Sequence, residues 1–163
     1  MIHIEQITFQ NPFELFPYLK EIWPNASSAI AQEATQEAIK NQDIGLYIIM
    51  KDYAPIGMTG FFINGDDNKE LGLRWHGIIP MERGNGYSKE AMKLVFEQAL
   101  IYMPQAQFIV EYVPLTDYNP PIIKHFTKLG FIKVEQVETP DWTPHRIQGY
   151  KINIHKFLDN FSL

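Results

Sequence analysis

A glycine turn between an apolar segment and an amphipathic segment is the part of this sequence best suited to chemistry. The turn runs Arg83-Gly84-Asn85-Gly86-Tyr87-Ser88. The segment before it, residues 70–79, is mostly apolar and predicts a strand, whereas the segment after it repeats apolar residues at helical spacing. A strand, a glycine turn and the start of a helix present backbone N–H groups at the positive end of a helix dipole. Such a turn is suited to binding an anion, above all a phosphate.

The turn lacks the residues of two common phosphate-binding motifs, which narrows the types of phosphate ligand that it could bind. A P-loop would need Gly-Lys-Ser/Thr after its spacer residues, and a dinucleotide fingerprint would need a third glycine near Lys89. Gly84 and Gly86 lack a Cβ atom, so the backbone can take a positive φ and approach a ligand closely. We expect Arg83 to add a fixed positive charge at the mouth of the turn. An ordinary strand–turn–helix connection without a ligand is the alternative interpretation.

The turn resembles the acetyl-CoA loop of the GNAT N-acetyltransferase superfamily, whose pattern is Gln/Arg-x-x-Gly-x-Gly/Ala. Ser88 departs from the last position of that pattern, and a small helix-capping residue should be tolerated there. Residues 119–131 are similar to a later motif of the family, in which an Asn opens a helix that ends in Tyr-x-x-Leu-Gly-Phe. Leu129-Gly130-Phe131 is intact, and Gly130 should end the helix. Phe126 stands in the place of the tyrosine.

The resemblance implies a site for acetyl-CoA as co-substrate. In the family the co-substrate lies between the fourth and fifth strands, which splay apart, with its pyrophosphate on the glycine turn and its pantetheine arm along the fourth strand. The strand residues would act through their backbone groups, and an Asn would approach from the other side. The cofactor-binding residues carried over in this way are Ile78, Ile79, Arg83, Gly84, Asn85, Gly86, Tyr87, Ser88, Asn119 and Phe126.

The implied reaction is attack by a primary amine on the thioester, and it needs a general base. An amine with a pKa of about 10.4 is free base in only about one molecule in 10³ at pH 7. Glu70 and His76 are candidate bases, because period-two alternation places them on one face of the strand predicted over residues 70–79. Glu111 is a third candidate, since a carboxylate within an apolar run needs a partner. The alternatives are a structural hydrogen-bonded role for His76 and a solvated strand end for Glu70.

Phe126 leaves open how the CoA thiolate would be protonated. The family often uses the tyrosine of its late motif as a general acid, and Tyr112 and Tyr118 are nearby alternatives. A thiol pKa of about 8.5 makes the thiolate a fair leaving group without an acid. The first hypothesis is therefore an N-acetyltransferase that acts by direct attack in a ternary complex. The second is a CoA-binding regulatory or interaction module without turnover.

The composition of the chain limits its number of domains, its site chemistry and its partners. The chain has 163 residues, 45% of them apolar, and should form one domain over residues 1–163. Cysteine is absent, which excludes a cysteine nucleophile and cysteine metal ligands, and we expect no metal. The net charge of −5 argues against nucleic acid and mildly favours a cationic acceptor. We expect a cytoplasmic monomer or homodimer without a membrane partner.

The order of predicted elements indicates a mixed α/β fold. A strand at residues 1–9 precedes two helices, at 12–22 and about 27–41. Three strands follow at 45–51, 56–63 and 70–79, and the long helix ends near residue 102. A strand at 107–113, a helix at 119–129 and strands at 131–138 and 148–157 complete the chain. The GNAT resemblance implies a central mixed, mostly antiparallel sheet flanked by helices, which this order matches.

Overall fold

The computed structural model describes residues 1–7, 21–22, 45–64, 69–114, 120–134 and 147–161. The two helices predicted before residue 45 lie almost wholly outside the described residues, as does the predicted cofactor residue Asn119. Within the described part of the chain, no helix has the length and apolar character needed to cross a membrane.

Eight described strands form a mixed, mostly antiparallel sheet flanked by helices, which confirms the predicted mixed α/β fold. The strands are β1 Ile2–Gln6, β2 Leu46–Lys51, β3 Ala54–Ile63, β4 Glu70–Leu73, β5 Gly77–Ile78, β6 Phe108–Pro114, β7 Ile132–Lys133 and β8 Ile147–Asn153. The described α-helices are α1 Tyr87–Tyr102, α2 Pro120–Lys128 and α3 Ile154–Phe161.

The chain divides into two compact units, of which the first contains Met1–Phe61 and Arg74–Ala99. In this unit β1 pairs with β2, β2 with β3, and β5 with β3, all antiparallel. Apolar side chains from the strands and from α1 form a shared core. Its buried members are Ile2, Ile49, Ile56, Ile78 and Ala91. The glycine turn that precedes α1 is therefore attached to a packed element at each end.

The second unit contains Phe62–Leu73 and Leu100–Leu163. Here β4 pairs with β6 in parallel, from Glu70–Phe108 to Gly72–Val110. β6 pairs with β8 and β7 pairs with β8, both antiparallel. The unit therefore combines one parallel pair with two antiparallel pairs.

The strand predicted over residues 70–79 is interrupted. β4 ends at Leu73 and β5 begins at Gly77, and between them Trp75 has a φ of 49°. A left-handed residue does not continue the alternation of a strand. The prediction that Glu70 and His76 share one strand face is therefore wrong, and the two residues belong to different units.

The last predicted strand also ends earlier than expected, because α3 follows β8 directly. Ile154 and Phe157 recur at helical spacing and are both buried. The Oδ1 atom of Asn153 accepts a hydrogen bond from the backbone N–H of Lys156 at 3.1 Å, as an N-cap residue does. Ile152 and Ile154 continue the alternation of the strand, which explains why the sequence predicts a strand beyond Asn153.

Candidate functional site

The glycine turn links β5 to α1 through a short 3-10 helix at Pro80–Glu82. The backbone N–H of Glu82 donates to the carbonyl of Ile79 at 3.0 Å, and that of Arg83 donates to the carbonyl of Pro80 at 3.3 Å. At the start of α1 the backbone N–H of Glu90 donates a hydrogen bond to the carbonyl of Gly86 at 3.2 Å. The helix itself supplies no acceptor for the three preceding N–H groups, which is the arrangement that binds anions.

Gly84 and Gly86 are both required by the backbone of the turn. Their φ angles are 84° and 79°, in the left-handed region that other residues rarely adopt. A Cβ atom at either position would meet nothing within 4 Å, so packing does not explain the choice of glycine. The turn is exposed at residues 83–86, and its shape leaves a ligand room to approach the backbone.

Arg83 braces the turn instead of pointing freely from it. Its Nε atom donates to the carbonyl of Ile78 at 2.8 Å, and one terminal nitrogen donates to the carbonyl of Ile22 at 2.9 Å. Asn85 closes the turn further, since its side-chain amide donates to the carbonyl of Glu82 at 3.2 Å. The predicted positive charge is present, and it also holds the backbone of the turn in place.

Lys51 of β2 ties the start of α1 to the 3-10 helix. Its ammonium group lies 3.3 Å from Oε2 of Glu82 and 5.2 Å from the centre of the Tyr87 ring. A hydrogen bond with Tyr87, followed by the hydrogen bond and charge of Glu82, raises the pKa of Lys51. Tyr87 also packs against the core that contains Ile78. Tyr87 therefore has a structural role in the turn.

Ile78 and Ile79 are predicted to bind the pantetheine arm through their backbone, and some of these backbone groups already hold hydrogen bonds within the first unit. The N–H of Ile79 donates to the carbonyl of Ile56 at 2.8 Å, and its carbonyl accepts from Glu82. The carbonyl of Ile78 accepts from Arg83. Successive N–H groups of a strand point to opposite edges, so the N–H of Ile78 points away from β3.

His76 is held at both ring nitrogens. Its Nδ1 atom lies 2.8 Å from Oγ1 of Thr59, and its Nε2 atom lies 2.8 Å from Oγ of Ser88. Ser88 stands in the first turn of α1, so His76 connects that turn to β3. A histidine with both nitrogens hydrogen-bonded to hydroxyl groups matches the structural alternative for this residue and makes it a weaker candidate for the base.

Glu70 in the second unit is also engaged through both carboxylate oxygens. Lys151 lies 2.9 Å from its Oε2 atom, and the side-chain amide of Asn64 donates to its Oε1 atom at 2.5 Å. The same amide donates to the hydroxyl of Tyr112 at 2.9 Å. Glu70 thus belongs to a polar network across β4, β6 and β8, which differs from the solvated strand end considered above.

Glu111 differs from the other two candidate bases. It lies in β6 opposite Tyr150 of β8, and its Oε2 atom is buried with no hydrogen-bond partner among the residues that the structure describes. Burial raises the pKa of this carboxyl well above its ordinary value of 4.5. A buried carboxyl group with an unused acceptor and a raised pKa keeps Glu111 a candidate for the base.

Phe126 is a core residue at the end of α2. It is 4% exposed, and its ring meets that of Phe131 edge to face at 5.0 Å. The N–H of Phe131 donates to the carbonyl of Phe126 at 3.0 Å, the N–H of Gly130 donates to that of Thr127 at 3.1 Å, and Gly130 has a φ of 99°. These bonds form a Schellman motif and confirm that Gly130 ends the helix.

Thr59, Lys51 and Glu82 were missed by the sequence analysis although each contacts a predicted site residue. Thr59 is a buried hydroxyl in an otherwise apolar strand, and a buried polar group requires a partner. That requirement was a usable signal. Lys51 and Glu82 are ordinary surface types in the sequence, and only the fold brings them together.

The comparison with protein families shows to which family the chain belongs. The sequence pattern of the Acetyltransferase (GNAT) family matches residues 12–131. The chain is a member of the GNAT acetyltransferase family. This GNAT match includes the glycine turn and the end of α2, the two places where the sequence alone resembled the family. No protein of curated function matches the chain.

Solved GNAT structures share the fold over nearly the whole chain. A protein assigned to the GNAT family from Desulfovibrio desulfuricans is 11% identical, with a TM-score of 0.74 over 94% of this chain and 99% of that one. The aminoglycoside acetyltransferase AAC(6')-Ib, solved with coenzyme A and kanamycin, is 18% identical, with a TM-score of 0.71 and full coverage of both chains. Spermidine N-acetyltransferase from Vibrio cholerae, solved with CoA and spermine, is 13% identical, with a TM-score of 0.63 over 96% and 98%.

Proposed function

We propose that this protein transfers an acetyl group from acetyl-CoA to a primary amine by direct attack in a ternary complex. The observation that carries the proposal is the glycine turn, with Gly84 and Gly86 in the left-handed region ahead of α1 in a member of the GNAT family. The turn supplies backbone donors for a pyrophosphate and a braced Arg83 beside them. The N–H of Ile78, which points away from β3, is the backbone donor we assign to the pantetheine arm.

Glu111 is the general base that we favour. Direct attack requires that a protonated amine lose a proton, and the efficiency of a general base is highest when its pKa lies near the working pH. Burial moves the pKa of Glu111 upward, toward that of an amine. His76 and Glu70 remain candidates, but both already hold hydrogen bonds to other side chains.

The acceptor that we propose is a small cationic amine. The chain carries a net charge of −5, which favours the approach of a cation. Two structural neighbours were solved with amines, kanamycin and spermine, and both serve here as acceptors to test. The protein is proposed to act in the cytoplasm as a monomer or homodimer, without nucleic acid, a membrane partner or a metal.

A CoA-binding module without turnover is the second candidate function. It is favoured by Phe126, which is buried against Phe131 and offers no hydroxyl group for protonating a thiolate. The two functions predict the same affinity for CoA and differ in whether a thiol is released.

The deciding experiment is a measurement of CoA release from acetyl-CoA with a panel of amines that includes polyamines, aminoglycosides and amino acids. Release that depends on the amine supports the transferase, and binding of CoA without release supports the module. Double-reciprocal plots at varied amine and acetyl-CoA should intersect, because the chain has no cysteine to hold an acyl group. Parallel lines with an acyl-enzyme in the mass spectrum would overturn direct attack and leave the CoA site standing.

A further inference from the structure

The second unit contains a groove where β7, the end of β8 and the first turn of α3 meet. Its volume is about 520 Å³, and pockets that hold small molecules measure about 300–1,000 Å³. None of the residues assigned to CoA is among its described lining residues, three of which are lysines. A site for the cationic acceptor would not be lined by lysines, so this groove is suited to a different ligand.

Strand register places four of the lining side chains on one face of the sheet. Lys151 and Asn153 are alternate residues of β8, so their side chains point to the same face. Phe108 of β6 lies directly opposite Asn153, and Ile132 of β7 lies directly opposite Lys151. Directly opposite residues share a face. Ile132 is 73% exposed, so the groove has an apolar floor that a ligand can reach.

The charges around this floor are positive. Lys133, Lys151 and Lys156 line the groove, and none of its described lining residues is acidic. The ammonium group of Lys151 is neutralised, because it lies 2.9 Å from Oε2 of Glu70 and 4.3 Å from the centre of the Phe108 ring. Lys133 and Lys156 have no ion pair within the part of the chain that the structure describes. Two uncompensated positive charges in a chain of net charge −5 favour an anion locally.

Asn153 adds a neutral hydrogen-bond donor to the groove. Its Oδ1 atom accepts the backbone N–H of Lys156 at 3.1 Å, which fixes the orientation of the amide. The other end of the amide is an NH₂ group with two donors. That group has no hydrogen-bond partner among the described residues, so it can donate to an anion in the groove.

We propose that this groove binds a small organic carboxylate with an aliphatic body. The ammonium groups of Lys133 and Lys156 and the amide of Asn153 hold the carboxylate group. The alkyl chain lies on the floor formed by Ile132 and Phe108. A carboxylate carries less charge than inorganic phosphate and costs less to place against apolar side chains. This inference does not rest on the proposed function.

The first test is a titration of the labelled protein with hexanoate, followed by amide NMR. Saturable shifts are expected at residues 132–133 and 151–156. Hexylamine and 1-hexanol have the same alkyl chain without the negative charge, and both should bind at least about tenfold more weakly. Inorganic phosphate should not shift these signals. Shifts confined to other residues, or equal binding of hexylamine, 1-hexanol or phosphate, would overturn the inference.

A series of acetate, butanoate and hexanoate tests the apolar floor. Each methylene that the groove buries should tighten binding about threefold to fourfold. Ile132→Thr keeps a β-branched side chain in β7 and removes apolar surface, so the gain per methylene should be smaller in this variant. An identical dependence on chain length in wild type and Ile132→Thr would show that the alkyl chain does not lie on Ile132, and would contradict the proposed site.

The lysines are tested with neutral side chains of similar length. Lys133→Gln and Lys156→Gln should each weaken hexanoate binding about twofold to fivefold, the range for exposed charge pairs. Lys124→Gln, at an exposed position of α2, is the matched control and should bind as the wild type does. Equal losses in all three variants would mean a general effect of net charge and overturn the inference. Binding of hexanoate by protein that does not bind CoA would support this site and refute only the proposed function.

Discussion

The Nε atom of Arg83 donates to the carbonyl oxygen of Ile78 at 2.8 Å, so the charged residue of the glycine turn is fastened to the strand that precedes it. A second bond to Ile22 fixes the other side of the guanidinium group. A guanidinium group carries five N–H donors in a rigid fork, and two such bonds leave further donors for a ligand. The hydrogen bonds that Arg83 makes within the turn and its charge are therefore separate contributions to ligand binding, and substitutions of Arg83 can distinguish them.

Arg83→Ala should weaken binding of CoA about tenfold or more, since both the brace and the charge are lost. Arg83→Gln keeps an amide donor for the carbonyl of Ile78 and should recover part of that affinity, as Gln is the other residue of the family pattern. Calorimetry with CoA measures both, with circular dichroism as the check on folding. Equal affinities of the Gln and Ala variants would show that charge is the main contribution.

Gly86→Asp and Gly86→Asn form a matched pair at the centre of the turn. The position has a φ of 79° and open space around a Cβ atom, and Asn and Asp both tolerate this region better than most residues. The two side chains have similar size and differ in charge. We expect Gly86→Asp to lose nearly all affinity for acetyl-CoA and Gly86→Asn to lose much less. Unchanged affinity in folded Gly86→Asp would refute the pyrophosphate site.

Glu111→Gln should make the protein more stable at neutral pH. Because burial raises the pKa of Glu111 above 4.5, the folded state binds its proton more tightly than the unfolded state. The stability of the wild type therefore falls as the pH rises from about 4.5 to the raised folded value, and it levels off above that value. Glutamine does not titrate, so the advantage of the variant should be present at about pH 8 and absent at about pH 4.

Denaturant unfolding at the two pH values measures this difference, and Glu90→Gln on the exposed side of α1 is the control variant. If Glu111 is also the general base, Glu111→Gln should reduce kcat about 10²-fold or more, the size of a typical contribution from a general base. In the wild type kcat/KM should rise with pH through the raised pKa of this group. A stable variant with normal turnover would remove Glu111 from the mechanism.

Phe126→Tyr should leave turnover nearly unchanged. The ring is 4% exposed and packs edge to face on Phe131, so an added hydroxyl would be buried in the cap of α2 and not presented to a leaving thiolate. We expect a loss of about 1–3 kcal/mol in the free energy of unfolding if that hydroxyl finds no partner. Steady-state rates of the variant and of the wild type with the best acceptor measure the effect on turnover. A gain of tenfold, equivalent to about 1.4 kcal/mol, would show that thiolate protonation limits the wild type.

The sequence predicts the fold well where a local pattern has one interpretation. The glycine turn, the start of α1 and the end of α2 at Gly130 are each specified by residues within a few positions of one another. The pattern is ambiguous at Ile154, which continues the alternation from Ile152 and also has helical spacing to Phe157, and Asn153 decides for a helix as an N-cap. The break at Trp75 has no local signal, because a bulky aromatic residue rarely takes a positive φ.

Side-chain partners are the part of the site that the sequence could not supply. The Thr59–His76–Ser88 chain joins residues from β3, the segment before β5 and α1, and the network of Glu70 with Lys151 and Asn64 joins three strands. Such contacts depend on register between strands, which a single sequence does not fix. Strand alternation predicts Glu70 and His76 as the candidate bases, and an apolar run predicts Glu111 as the third, but their side-chain partners are known only from the fold.

The open space around Gly84 and Gly86 has a consequence for following ligand binding in solution. The amide hydrogens of an exposed turn exchange rapidly with heavy water, since little of the protein covers them. A bound pyrophosphate would slow that exchange over residues 84–86 while leaving the buried core of α1 unaffected. Deuterium uptake at three consecutive residues would then measure occupancy of the turn without any acetyl transfer, including in variants that have lost all turnover.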